Sequence, residues 1–178
     1  AEALSSLALL YAQEARYQEA EELQQRALKL REQLCGPDDP LTVESLHNLA
    51  QVYGEQGKYQ QAAQLYLHVL SLDEHMGDPH ETAKTWNNLG LMYYQQGSET
   101  EAETAYQQAL TLYESVLHLE EHPDLAYTFT CLGALAEKRG DYQQAEERYQ
   151  QALAIREKTL GDTHPDTAHS INKLADIY

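Results

Sequence analysis

Apolar and polar positions along the chain recur with a period near 42 residues. Aligned on one leucine, the copies fall at Leu7, Leu49, Leu89, Leu132 and Leu174, spaced by 42, 40, 43 and 42 residues. A period of this size marks stacked helical repeats rather than a globule with a single core. Counted from Ala1, the fourth position of each copy is large and apolar: Leu4, Leu46, Trp86, Phe129 and Ile171. The eighth is small (Ala8, Ala50, Gly90, Gly133, Ala175), and the eleventh is Tyr11, Tyr53, Tyr93, Ala136 and Tyr178. Steps of three, one and three residues draw one apolar stripe down a helix.

The stripe breaks at Ala15, Gly57, Gly97 and Gly140. Glycine accepts the positive φ of a helix end without a Cβ clash. At Ala15 the pattern predicts a strained turn or a helical φ. A second helix follows, with small residues at Ala20, Ala62, Ala102 and Ala145 and again at Ala27, Val69, Ala109 and Ala152. Between them sits a bulky place: Gln24, Tyr66, Tyr106 and Tyr149. Small residues let facing helices approach, and the bulky ones fill the space beside them. Each next first helix is predicted to open on a proline (Pro40, Pro79, Pro123, Pro165), where the missing N–H costs nothing. The third copy carries Ser98 and Glu101 where the others have Tyr17, Tyr59 or Tyr142, a spacing that predicts a capping box.

The implied organisation is a single array with repeats at about 1–42, 43–82, 83–125 and 126–167 and a half repeat at 168–178. That makes four helix pairs and a terminal helix, His164 to Tyr178, covering the last pair. Because the chain enters in mid-pattern at Ala1 and stops inside a fifth repeat, the expectation is a segment of a longer protein.

Charge narrows the possible partners. The net charge is −17, and between Tyr59 and Glu137 twelve acidic residues face a single Lys, Lys84. Nucleic-acid binding needs Lys and Arg on the phosphates, so it is not expected. The plain reading is a solvated acidic surface, and the sharper one is attraction of a basic partner. No apolar run approaches the ~18–20 residues that span a bilayer, so no membrane association is expected. Cys35 and Cys131 lie far apart and form no metal or disulfide spacing, which suits reduced thiols in the cytoplasm.

A large apolar residue, Leu, a small residue and Tyr, then a Gly turn, then Ala, a bulky residue and Ala resembles the tetratricopeptide repeat (TPR). The Leu160–Ala168 link and Asn87–Gly90 (NNLG) resemble the 42-residue subclass found in kinesin light chains. The resemblance covers the whole chain. It implies an all-α, right-handed α-solenoid of helix-turn-helix repeats, whose first helices line a concave groove that takes extended or helical peptides. It also implies which residues face that groove: His47, Asn48 and Gln51; Lys84, Asn87, Asn88, Leu91 and Tyr94; Tyr127 and Thr130. Leu91, Tyr94 and Tyr127 are apolar or aromatic where a purely solvated face would be charged. Asparagine amides can bond a peptide backbone both ways, although Asn48 and Asn88 could instead bridge adjacent repeats.

His118-Leu119-Glu120-Glu121-His122 fits the H-x-x-E-H arrangement of zinc peptidases. Here it falls at a helix end and runs into Pro123, with no separate third ligand indicated, so neither a metal nor a cofactor is expected. The remaining histidines, His80 among them, read as surface or loop positions. No Gly-rich phosphate loop, G-x-S-x-G or C-x-x-C occurs. The expected function is a non-catalytic scaffold that binds a protein or peptide in its groove. The alternative is a sensor or regulatory module of a multidomain NTPase or other enzyme.

Overall fold

The computed structural model describes residues 1–73, 78–116 and 122–177. All regular structure among them is helical: α1 (Glu2–Gln13), α2 (Tyr17–Cys35), α3 (Pro40–Glu55), α4 (Tyr59–Asp73), α5 (Pro79–Gln96), α6 (Glu99–Thr111), α7 (Pro123–Lys138), α8 (Tyr142–Leu160) and α9 (Pro165–Ala175). A π-helical turn, Leu112–Val116, continues α6.

Local signals in the sequence account for most of these boundaries. Pro40, Pro79, Pro123 and Pro165 each open a helix. The residue before each proline caps the helix: Asp39 and Asp78 accept from the N–H two residues on, and His122 and His164 do the same through Nδ1. The turns inside the helix pairs take positive φ at Gly57 (75°), Gly97 (82°) and Gly140 (77°), and at Ala15 (59°). The strained turn expected at Ala15 is therefore present. A Cβ in this region costs roughly 1–2 kcal/mol.

The capping box at Ser98 does not form. Ser98 holds the N-cap position of α6, but its side chain makes no capping bond. Asp141, with nearly the same backbone angles, does reach the Gln144 N–H. The Ser98 N–H, which a capping box would give to Glu101, goes instead to the Tyr93 carbonyl at 2.9 Å.

Contacts divide the chain into two compact units, residues 1–77 with 95–97 and residues 78–94 with 98–178. In the first, α1 packs on α2, α3 on α4, and α2 on α3. Ala8, Ala20 and Val52 close its first junction with Tyr11 and Leu23 around them. In the second, α7 packs on α6 and α8, and α8 on α9. Its core gathers Tyr106, Tyr113, Leu125, Phe129 and Leu132, with Trp86 and Tyr94 against its edge.

The small positions of the second helices behave as the pattern requires, since Ala20, Ala62, Ala102 and Ala145 are all fully buried. Gly90 and Gly133 show why position eight must be small. A Cβ on either would lie 2.6 Å from the ring of Tyr106 or Tyr149. On α1 and α9, Leu7 and Ile171 leave part of the apolar stripe exposed.

Candidate partner-binding surface

Two arginines show how a second helix is tied to the first helix that follows it. Arg31 on α2 is buried and donates to the Leu41 carbonyl and to Ser45 Oγ, each at 2.8 Å. Its repeat equivalent on α8, Arg156, is also buried and donates to Ser170 Oγ at 2.5 Å and to the Asp166 carbonyl at 3.4 Å. A buried guanidinium is retained only where carbonyl and hydroxyl oxygens satisfy it. Both arginines have such oxygens.

At the same register of the third repeat stands Tyr113. Its side chain is fully buried, yet its hydroxyl faces the Asn87 amide without a hydrogen bond of ordinary geometry. Burial, with the charges of Asp124 and Glu81 nearby, pushes that phenol well above its usual range. It therefore stays a neutral donor. Where the first and fourth repeats hold an arginine, this one leaves a recess of about 220 Å³ lined by Lys84, Asn87, Asn88, Tyr113, Asp124 and Tyr127.

Four of the residues that the family resemblance assigns to the groove thus line one recess: Lys84, Asn87, Asn88 and Tyr127. Asn87 is nearly buried, and its amide donates to Thr128 Oγ1 at 2.9 Å, bridging the third and fourth repeats. Asn88 is half-buried, and Tyr127 is exposed on the rim. The Lys84 ammonium pairs with Glu81 at 2.9 Å, which holds its pKa above the ordinary value. Leu91 and Tyr94 are half-buried further along α5, and Lys138 lies over the Tyr94 ring at 4.8 Å. Thr130 bonds back to the Ala126 carbonyl. In the first unit, His47 stacks edge-on with Tyr66, Gln51 bonds Glu55 along the helix, and Asn48 is half-buried.

Sequence reasoning missed Tyr113 and Asp124. The signal was faint, since this register holds Arg31, Asp73, Tyr113 and Arg156, and the repeats were aligned on apolar positions. Cys131, half-buried beside Tyr127 and Tyr106, has its thiol pushed up to about 11 by burial, which hydrogen bonds from the two tyrosines only partly offset. A larger depression of about 660 Å³ lies around Ala15–Arg16 and Lys58. Its cations are already matched, Arg16 with Glu19 and Lys58 with Glu21, so it offers an acidic partner little.

Of the H-x-x-E-H motif only His122 lies within the described residues; His118, Glu120 and Glu121 lie outside them. No described helix is long and apolar enough to cross a membrane.

Comparison with known proteins gives the class. The tetratricopeptide repeat family model matches residues 1–75, 81–157 and 124–178, and the chain belongs to that family. Among solved structures, it is similar to nearly identical TPR-like repeats of a Podosopora anserina protein described as a kinesin light chain. There identity is 26% and the TM-score 0.83, covering 99% of this chain and 84% of that one. It is also similar to BtubC from P. vanneervenii, at 28% identity and a TM-score of 0.85, over 99% of this chain and 71% of that one. RapI in its apo form shares the fold at 19% identity and a TM-score of 0.79, over 97% of this chain and 45% of that one. Comparison with curated protein sequences found no match. The fold is the all-α TPR solenoid, a scaffold that generally serves protein interaction.

Proposed function

We propose that this chain is a non-catalytic interaction scaffold in the cytoplasm. It holds a peptide or partner segment against its first-helix face, with the recess between α5 and α7 as the anchor point. The observation that carries this reading is the Tyr113 junction. Its recess presents an unpartnered buried phenol, an amide from Asn88 and the exposed ring of Tyr127. A buried donor without a partner is costly, and a ligand oxygen that reaches it recovers about 1–3 kcal/mol. An aromatic rim beside amide groups suits a peptide, whose backbone offers both donors and acceptors.

Charge indicates the kind of segment. The net charge of −17 and Asp124 in the recess favour a partner with basic or amide side chains, since Lys84 is already held by Glu81. This disfavours an acidic cargo peptide.

Peptide-library panning tests the proposal, run beside a Leu91→Glu/Tyr127→Ala variant whose helicity is checked by circular dichroism. Enrichment on the parent that disappears on the folded variant supports it, and lysine- or arginine-rich sequences among the peptides support the charge assignment. Equal enrichment on both, or none on the parent, overturns it.

A further inference from the structure

The N-termini of α5 and α7 bring together three groups: His80, His122 and Asp124. One ligand atom from each lies within 4.8 Å of the others. Oδ2 of Asp124 is the centre of the cluster. It sits 2.9 Å from Nε2 of His80 and 3.7 Å from Nδ1 of His122. The two imidazoles meet nearly at right angles, with centroids 5.2 Å apart.

His80 gives a further indication. Its Nε2 is closed off from solvent and makes no hydrogen bond, although Asp124 Oδ2 lies 2.9 Å away. A ring nitrogen shielded from water and making no hydrogen bond is costly unless something else completes it. On its other side, Nδ1 lies 3.8 Å from Glu81 Oε1. That is beyond hydrogen-bond distance, but it puts a carboxylate on the side where metal-bound histidines commonly have one.

We propose that His80, His122 and Asp124 form a binding site for a borderline divalent ion of the zinc class, tying the start of α5 to the start of α7. Two imidazoles and a carboxylate are a zinc-type donor set, with water completing the tetrahedron. Ligand bonds of about 2.0–2.1 Å put tetrahedral donors about 3.3 Å apart. The two distances to Asp124 bracket that value. Coordination through His122 Nδ1 takes the lone pair that now accepts the Asp124 N–H at 3.2 Å, so the ion competes with a helix cap. That competition makes the site weaker than a dedicated structural zinc site.

The chain carries its own control. His164 and Asp166 reproduce the His122–Asp124 pair at α9, with the same 3.7 Å separation and the same cap. There the register of His80 is held by Asp124, so the second imidazole is missing.

The test is a zinc titration of the tag-free chain in competition with a chromophoric chelator, with cobalt substitution to read geometry from its visible absorption. The parent is expected to bind one equivalent tightly, with a tetrahedral cobalt spectrum. His80→Gln, which has no capping role, should weaken binding by more than the roughly 10–100-fold typical of losing a supporting residue. His122→Asn keeps an N-cap side chain and should lose binding while retaining its helicity by circular dichroism. His164→Gln should leave zinc binding unchanged, whatever the loss of its cap does to α9. No binding by the parent, equal binding by His80→Gln, or a loss on His164→Gln overturns the proposal.

Discussion

Gly90 and Gly133 are small because of what stands opposite. Tyr106 and Tyr149 are almost completely buried, and their rings occupy the space where a Cβ would project. Ala50 holds the same register opposite Tyr66 in the second repeat, so a single methyl can be fitted when the helices are spaced for it. A branched side chain cannot. Gly90→Val is expected to destabilise the chain by about 1–3 kcal/mol through overpacking, read as a lower urea midpoint with an unchanged slope. A midpoint equal to the parent's would mean that the Tyr106 ring moves aside freely. Alternation of small and bulky residues made this contact legible in the sequence. The failure of the Ser98 capping box was not legible, because the spacing was right and it is the turn before it that commits the Ser98 N–H to the Tyr93 carbonyl.

Element pairing was the most readable level, since the apolar stripe and the Gly and Pro positions define each helix pair without reference to anything distant. What escaped was contact between successive first helices, where the partners are some forty residues apart and share no pattern. His80 reads as a loop histidine until α7 brings His122 and Asp124 beside it. The third repeat also carries one extra residue between Tyr113 and Pro123 relative to the Arg31–Pro40 and Arg156–Pro165 stretches, and the π turn falls there. A π turn holds more residues than an α turn, so it can absorb such an insertion. The arginine ties make a prediction at this scale. Arg156→Met removes the donor to Ser170 and the Asp166 carbonyl and is expected to cost about 1–3 kcal/mol. Hydrogen exchange should quicken first in α9. Uniform quickening through α7 and α8 as well would show that α9 is not a separate opening unit.

At the scale of the molecule, stability in a repeat array is close to a sum of each repeat and its contacts with its neighbours. Local opening is then cheaper than global unfolding, and the two thiols are placed to report it. Cys35 is exposed, whereas Cys131 is held beside Tyr127 and Tyr106 with its thiol pushed up to about 11. At pH 7 a thiol of that kind is about one part in ten thousand thiolate, and the thiolate is the reactive form. The native chain should therefore consume one equivalent of a thiol reagent quickly and a second only as fast as α7 opens. A dye placed on Cys35 needs no engineered cysteine, and the slow second reaction becomes a clock for the fourth repeat. Ligands that fill the neighbouring recess should slow that clock, and rapid uptake of two equivalents by the native chain would show that it does not run.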